Sequence, residues 1–314
     1  MDELVKIWEK PSADELYMIA GWHQWADAGS ISSGLPEYLI NRTNAKKIGE
    51  IAPDGFYLFQ IPGTHHLLRP EIKLDEGYRQ ELRSPKNELF YSKDEGLVLF
   101  LGTEPHLNAD GYAEAFMSAV QELNVKRVVA VGGVYGAMPY DMERDVSCVY
   151  SHRPMKDELE KYAVRFSNYE GGTTIGTYLV DRAEHQDVEF CVFYAFVPAY
   201  DFAELSNIVQ GVRVENDFKA WYELMRRFNH MFDLTIDLSD LEQKSEELVL
   251  SMEAKIEELN HKLPEFDIRE YLERLTSDFT ERTFTPPLSD VWERGLRDLF
   301  NDSDPFEGSD DEAS

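Results

Sequence analysis

Over the first 235 residues, short apolar runs alternate with longer stretches in which apolar positions recur every three or four residues. The runs cover residues 16–20, 48–52, 56–61, 97–101, 127–131, 146–150 and 190–197. Several are continuous and rich in β-branched or aromatic residues, as strands buried on both faces are. Between them, residues 109–123 set Ala113, Phe116, Met117, Val120 and Leu123 on one helical face, behind Asn108 as the expected N-cap. Residues 173–185 and 217–232 repeat the pattern, the second with Phe218, Trp221, Met225, Phe228 and Phe232 as its stripe. Alternation of this kind predicts an α/β layered domain over residues 1–235.

From residue 236 the pattern is helical throughout. Ser239-Asp240-Leu241-Glu242 reads as a capping box, and Leu241, Leu248, Met252, Ile256, Leu259 and Leu263 follow at helical spacing until Pro264. Ile268, Tyr271, Leu272, Leu275 and Phe279 form a second stripe. After Pro286-Pro287, Val291, Trp292, Leu296, Leu299 and Phe300 form a third. Residues 236–300 are therefore expected to be a helical extension, its apolar faces buried on the α/β domain or on a second subunit. Residues 301–314 hold six acidic residues and no basic one, the composition of a disordered acidic tail. No fixed-period repeat occurs.

Charge narrows the function classes. Thirty-one Lys and Arg stand against 60 Asp and Glu, a formal net charge of -29 in 314 residues. Nucleic acids and anionic membrane surfaces are bound by basic patches, so neither is an expected partner. Phosphorylated metabolites are repelled too unless a local pocket overrides the field. Solubility in a salty cytoplasm and a basic protein partner both fit this acidity. The chain is 43% hydrophobic, enough for a sizeable core. Cys148 and Cys191 suggest neither a disulfide framework nor a zinc site. The first residues do not read as a signal peptide, and residues 190–199 are half a membrane span. A soluble cytoplasmic protein without cofactor or metal is expected.

The residues with chemical potential follow the predicted strands, where α/β proteins bind ligands. Gly21-Trp22-His23-Gln24-Trp25-Ala26-Asp27-Ala28-Gly29 comes after the first. Asp27 is placed either to cap a helix or to orient a substrate and accept a proton. His23 and Asp27 would share a helix face, but no third metal ligand accompanies them. His65-His66 lies in a strand-like stretch and would point to opposite faces, which favours a structural role. Gly102-Thr103-Glu104-Pro105 follows the run at 97–101. Gly132-Gly133, with Gly136 and Pro139 behind, follows the run at 127–131, and glycine there permits a tight turn or a close backbone approach. No phosphate-cradling loop, dinucleotide fingerprint, nucleophile elbow or zinc helix is present.

The order of the motifs is more specific than any one of them. Trp25-Ala26-Asp27-Ala28-Gly29, Arg69-Pro70, Gly102-Thr103-Glu104-Pro105, Gly132-Gly133 with Pro139, Tyr169-Glu170-Gly171-Gly172-Thr173 and Val197-Pro198-Ala199-Tyr200 occur in one sequence. Together, over residues 1–235, they resemble the proteasome assembly chaperone family in its bacterial and archaeal branch. The resemblance implies a three-layer α/β/α sandwich of the phosphorylase/hydrolase-like type with a C-terminal helical extension. It implies homo-oligomers, trimers among them, and a role in assembling other proteins. Three departures stand out. Relatives commonly read Pro-His-Thr-Arg-Pro where this chain has Pro139-Tyr140-Asp141-Met142-Glu143-Arg144. They often carry His-Tyr where it has Ala199-Tyr200. Its last residues, Asp311-Glu312-Ala313-Ser314, lack the hydrophobic-Tyr-any tail by which archaeal members dock on the proteasome, so docking by that route is not expected.

Two functional expectations follow. The first is a non-catalytic protein-binding or assembly factor, itself a homo-oligomer, with an unidentified protein partner. The second is a small-molecule enzyme, hydrolase or phosphorylase-like, with a pocket at the strand ends built from Asp27, Glu104, Gly133 and Glu170. Asp27, Gly29, Arg69, Glu104, Gly133 and Glu170 are the candidate pocket or interface residues. No residue is assigned a catalytic role.

Overall fold

Inward-facing positions on the central strands alternate between two helical layers. In this computed structural model, residues 4–13, 15–60, 69–200, 212–262 and 268–286 are described. In chain order the elements are β1 (Val5–Ile7), β2 (Leu16–His23), α1 (Ile31–Arg42), β3 (Lys46–Ile51), β4 (Glu71–Asp75), β5 (Tyr78–Arg83), β6 (Glu88–Ser92), β7 (Leu97–Thr103) and α2 (Ala109–Glu122). They continue with β8 (Val125–Gly136), β9 (Val146–Tyr150), α3 (Lys156–Leu159), β10 (Arg165–Phe166), α4 (Ile175–Glu184), β11 (Glu189–Tyr200), β12 (Val212–Arg213), α5 (Phe218–Met231), α6 (Ser239–Lys262) and α7 (Ile268–Asp278).

One large sheet runs β1-β3-β6-β7-β2-β8-β11-β9-β10, with β12 added beside β11. Its centre, β7-β2-β8-β11, is parallel. Met18, Ala20 and Trp22 of β2, Val98 and Phe100 of β7, Val128 and Ala130 of β8, and Phe190 and Val192 of β11 bury one face. Tyr112, Phe116, Met117 and Val120 of α2 and Leu179 and Ala183 of α4 cover it. The alternate positions, Ile19, Leu99, Val129 and Phe193, are buried on the other face with Ile31, Leu35 and Leu39 of α1 and Leu224 and Phe228 of α5. Phe193 and Phe228 lie 5.6 Å apart there. The architecture is a three-layer α/β/α sandwich.

Caps fix the helix starts. Asn108 accepts from the Gly111 amide before α2, Thr174 from that of Thr177 before α4, and Asp217 from that of Ala220 before α5. Along α6, Leu241, Met252 and Ile256 are buried. Its first turn is tied to α1 by Tyr38–Asp240 (2.8 Å) and to α5 by Tyr222–Glu242 (2.9 Å). The helix thus packs within the same compact unit, Met1–Thr283. A second unit begins at Phe284 and is described only at residues 284–286.

Several expectations change. Residues 56–60 form no strand: Phe56 is buried edge-on against Tyr112 at 5.2 Å, and its carbonyl accepts the amides of His106 and Leu107. One apolar anchor satisfies that segment without a ladder. β8 continues through Gly132 and Gly133 to Gly136 instead of ending before them. Ser239 is not a reciprocal cap: its amide and hydroxyl both donate to Asp237, and Glu242 accepts the Tyr222 hydroxyl. His23 ends β2, so it shares no helix with Asp27. The β4–β5 hairpin and β6 have no counterpart among the apolar runs. His65-His66, the third helical stripe and the acidic tail lie outside the described residues.

Candidate functional site

Strand β2 is where the sheet reverses its order, since β7 and β8 follow one another in the chain but flank β2. Ligand sites in α/β proteins sit beyond the carboxyl ends of strands at such a point. The loop leaving β2 there is unusual. Gln24 (φ 92), Ala26 (φ 53) and Ser30 (φ 49) all adopt left-handed backbone without being glycine, and Gly29 (φ 62) joins them. Each non-glycine residue in that region costs on the order of 1–2 kcal/mol.

The loop is held in this shape from every side. Asp27 accepts the Ser33 amide at 2.9 Å and the Ser33 hydroxyl at 2.7 Å, anchoring the start of α1. The Gly133 amide donates to the Ala26 carbonyl at 2.6 Å, and Asp27 bridges Gly133 in parallel with β8. The Gly29 carbonyl accepts both the Asp217 amide (2.9 Å) and the Trp221 indole (3.1 Å). A Cβ at Gly133 would stand 1.9 Å from the Ala28 carbonyl oxygen, so the close approach of β8 to this loop requires glycine. Strain so over-determined is typical of functional loops. At its crest stands Trp25, 64% exposed.

Across from the loop, the first turn of α4 presents Thr174 and Ile175. Glu104, at the end of β7, accepts the Ile175 amide at 2.8 Å. Burial holds the Glu104 carboxyl above its ordinary pKa, and that amide works in the opposite direction. Asp27 is raised likewise by burial, opposed by its bonds from Ser33. The Tyr194 hydroxyl sits 2.5 Å from that of Thr174 and 2.7 Å from that of Thr177. What remains between loop and helix is a cavity of about 10 Å³ lined by Trp22, Trp25, Ala26, Gly132, Thr174 and Tyr194. That is room for about one water, whereas metabolite pockets run to roughly 300–1,000 Å³. A larger hollow of about 170 Å³ lies elsewhere, against Arg42, Asp94, Glu95 and Asp237. Among the described residues no group of three His, Cys, Asp or Glu is placed to hold a metal.

Of the six candidates, Asp27, Gly29 and Gly133 come together in the strained loop and the strand beneath it. Glu104 does not line the cavity; it is bonded to the amide of Ile175, which does. Arg69 and Glu170 do not join it. Arg69 lies on the surface over the Phe59 ring (5.1 Å) beside Gln60, and Glu170 is exposed on the loop before α4. Next to Glu170, Tyr169 is 74% exposed and donates to the Gly172 carbonyl. Two partnerships escape the sequence. Tyr194 closes the cavity from β11, and Arg144 lies fully buried against Asp217 (2.8 Å), which itself caps α5 and bonds Gly29. The segment from Tyr140 to Arg144, where the relatives' motif is altered, wraps that guanidinium with the Tyr140 and Met142 carbonyls.

Comparison with known proteins agrees with this architecture. A search of curated proteins finds no match. Among solved structures, a Mycobacterium tuberculosis proteasome-assembly chaperone homologue is 22% identical, with a TM-score of 0.64 over 76% of this chain and 94% of its own. A PAC2 family protein from Streptomyces avermitilis is also 22% identical, with a TM-score of 0.64 over 82% of this chain and 99% of its own. An archaeal proteasome activator from Pyrococcus furiosus is 19% identical, with a TM-score of 0.56 over 81% and 98%. The PAC2 family model matches residues 21–258, from the last three residues of β2 to deep in α6, and the chain belongs to the PAC2 family.

Proposed function

We propose that this protein is a non-catalytic protein-binding factor of the assembly-chaperone kind, working in the cytoplasm as a homo-oligomer. The observation that carries this reading is Trp25, a large exposed aromatic on a loop whose strained backbone is tied at Asp27, Gly29 and Ala26. A rigid exposed tryptophan loses little entropy on binding, and such residues dominate protein interfaces. Tyr169 stands on the loop leading into α4, whose first turn lines the same cavity as Trp25. The relatives named for proteasome assembly and activation support a protein partner. Among the described residues no helix is long and apolar enough to cross a membrane, and both cysteines are buried and free.

The second reading, a small-molecule enzyme at the strand ends, rests on the raised carboxyls of Asp27 and Glu104. Against it, both carboxylates are engaged by backbone amides, and the nearby cavity, which neither of them lines, is too small for a metabolite. A thermal-shift screen with nucleotides, phosphate, divalent metals and common metabolites separates the two. A ligand at one hundred times its Kd stabilises by roughly 2.7 kcal/mol, a few degrees in a chain of this size. The binding-factor reading expects a flat screen. A shift that disappears in Glu104→Gln would install the enzyme reading in its place.

A further inference from the structure

The segments at the carboxyl ends of the parallel strands are depleted of positive charge. Residues 21–30, 102–112, 132–143 and 167–177 end β2, β7 and β8 and lead into α4. They hold six acidic residues and no Lys or Arg, in a chain that has 31 Lys and Arg. At the opposite end of the same strands, Lys93 precedes β7 and Lys126 and Arg127 open β8. Residues 61–68 and 201–211, which follow Gln60 and Tyr200, contain two acidic residues and again no Lys or Arg, so they bring no positive charge here.

The carboxylates at this end also lack cations of their own. Around α5, the buried Asp217, Glu143 and Glu223 pair with Arg144, Arg227 and Lys219, each at 2.8 Å. Asp27 and Glu104 instead take hydrogen bonds from Ser33 and from the Ile175 amide. Among the described residues, neither they nor the exposed Asp141 and Glu170 form an ion pair.

These charges surround exposed apolar side chains: Trp25, Leu107, Val134, Tyr135 and Tyr169. The segments that carry them are tied together. His106 bonds Gln24 at 2.9 Å, the Gly133 amide bonds the Ala26 carbonyl, and Trp25 lines one cavity with Thr174, the α4 cap. Arg213 reaches this end from β12 and lies 5.5 Å over the Tyr135 ring, so a guanidinium fits one of these aromatics. Among the described residues no cation lies over Trp25 or Tyr169. A Lys or Arg placed over such a ring is attracted by its quadrupole, and acidic surroundings steer it there. A second copy meeting this surface with its own would set like charges together.

We propose that this surface docks a basic segment of the protein partner, with Lys or Arg over the Trp25 and Tyr169 rings and apolar residues against Leu107 and Val134. This deepens the protein-binding reading above and rests on it.

The test titrates the full chain into short fluorescein-labelled peptides in which leucine alternates with arginine, with glutamine or with glutamate, read by anisotropy. The arginine peptide is expected to bind at least tenfold more tightly than the glutamine peptide, and the glutamate peptide not to bind. Raising the salt concentration should erase that preference, because exposed charges are screened. Glu170→Lys should weaken the arginine peptide at least fivefold, and Trp25→Ala should weaken the arginine and glutamine peptides alike. Glu184→Lys, at the far end of α4, changes net charge equally at an exposed position and should have little effect. Melting profiles report whether each variant keeps its fold. Arginine and glutamine peptides that bind equally, and are both lost in Trp25→Ala, would overturn the basic partner and spare the binding surface. Equal weakening by Glu170→Lys and Glu184→Lys would assign the attraction to overall charge and overturn the inference. No binding by any peptide would overturn it too, and capture of protein partners then decides the protein-binding reading separately.

Discussion

Arg144→Ala is expected to destabilise the protein by roughly 3–5 kcal/mol, the usual cost of stranding one member of a buried ion pair. Both side chains of the Arg144–Asp217 pair are fully buried. The guanidinium also holds the Tyr140 and Met142 carbonyls, and the Arg144 amide donates to Glu223 at 2.7 Å. Removing the guanidinium leaves the Asp217 carboxylate inside with, among the described residues, the Ala220 amide as its remaining partner. On a chain of this size the melting temperature should fall by on the order of 10 °C. The second substitution identifies the cause. Asp217→Asn removes the stranded charge and keeps an oxygen for the α5 cap, so Arg144→Ala/Asp217→Asn should melt above Arg144→Ala alone. A double variant that melts still lower would show that packing around Arg144, and not its charge, carries the stability.

Gly133→Ala should cost about 3 kcal/mol, at the upper end of penalties for overpacking. The added methyl would stand 1.9 Å from the Ala28 carbonyl oxygen, a backbone atom that moves only if the strained loop moves with it. The Gly133–Ala26 hydrogen bond and the Asp27 bridge would open together. Gly172→Ala is the control, since nothing lies within 4 Å of a Cβ there. Thermal melts of the two variants settle the point: a large drop for Gly133→Ala and almost none for Gly172→Ala. Equal small effects would mean that the loop yields easily and is not the rigid mount described above.

Much of the fold was legible because its core strands are apolar on both faces. β2, β7, β8 and β11 appear as continuous runs, and α2, α4 and α5 as stripes, the first with its Asn108 cap, because burial imposes those periods. The hairpin was not legible because none of its residues is buried, so charges interrupt any alternation. The site was half legible. Asp27, Gly29, Glu104 and Gly133 mark it, but their roles depend on contacts that sequence order hides. Left-handed backbone at Gln24, Ala26 and Ser30 is set by tertiary hydrogen bonds and not by residue type. Arg144 and Asp217 are 73 residues apart, and in a chain with 60 acidic residues no single carboxylate announces its partner.

The most direct measurement is quantitative capture of protein partners from native extract with the unmodified chain and with Trp25→Ala and Tyr169→Ala. Both side chains are exposed, so the melting temperatures should be unchanged. The unmodified chain should return a stoichiometric partner, and Trp25→Ala should weaken that association at least tenfold, about 1.4 kcal/mol, as loss of a central aromatic anchor does. A partner recovered equally by all three chains, or no stoichiometric partner at all, would contradict a protein-binding surface at the end of β2.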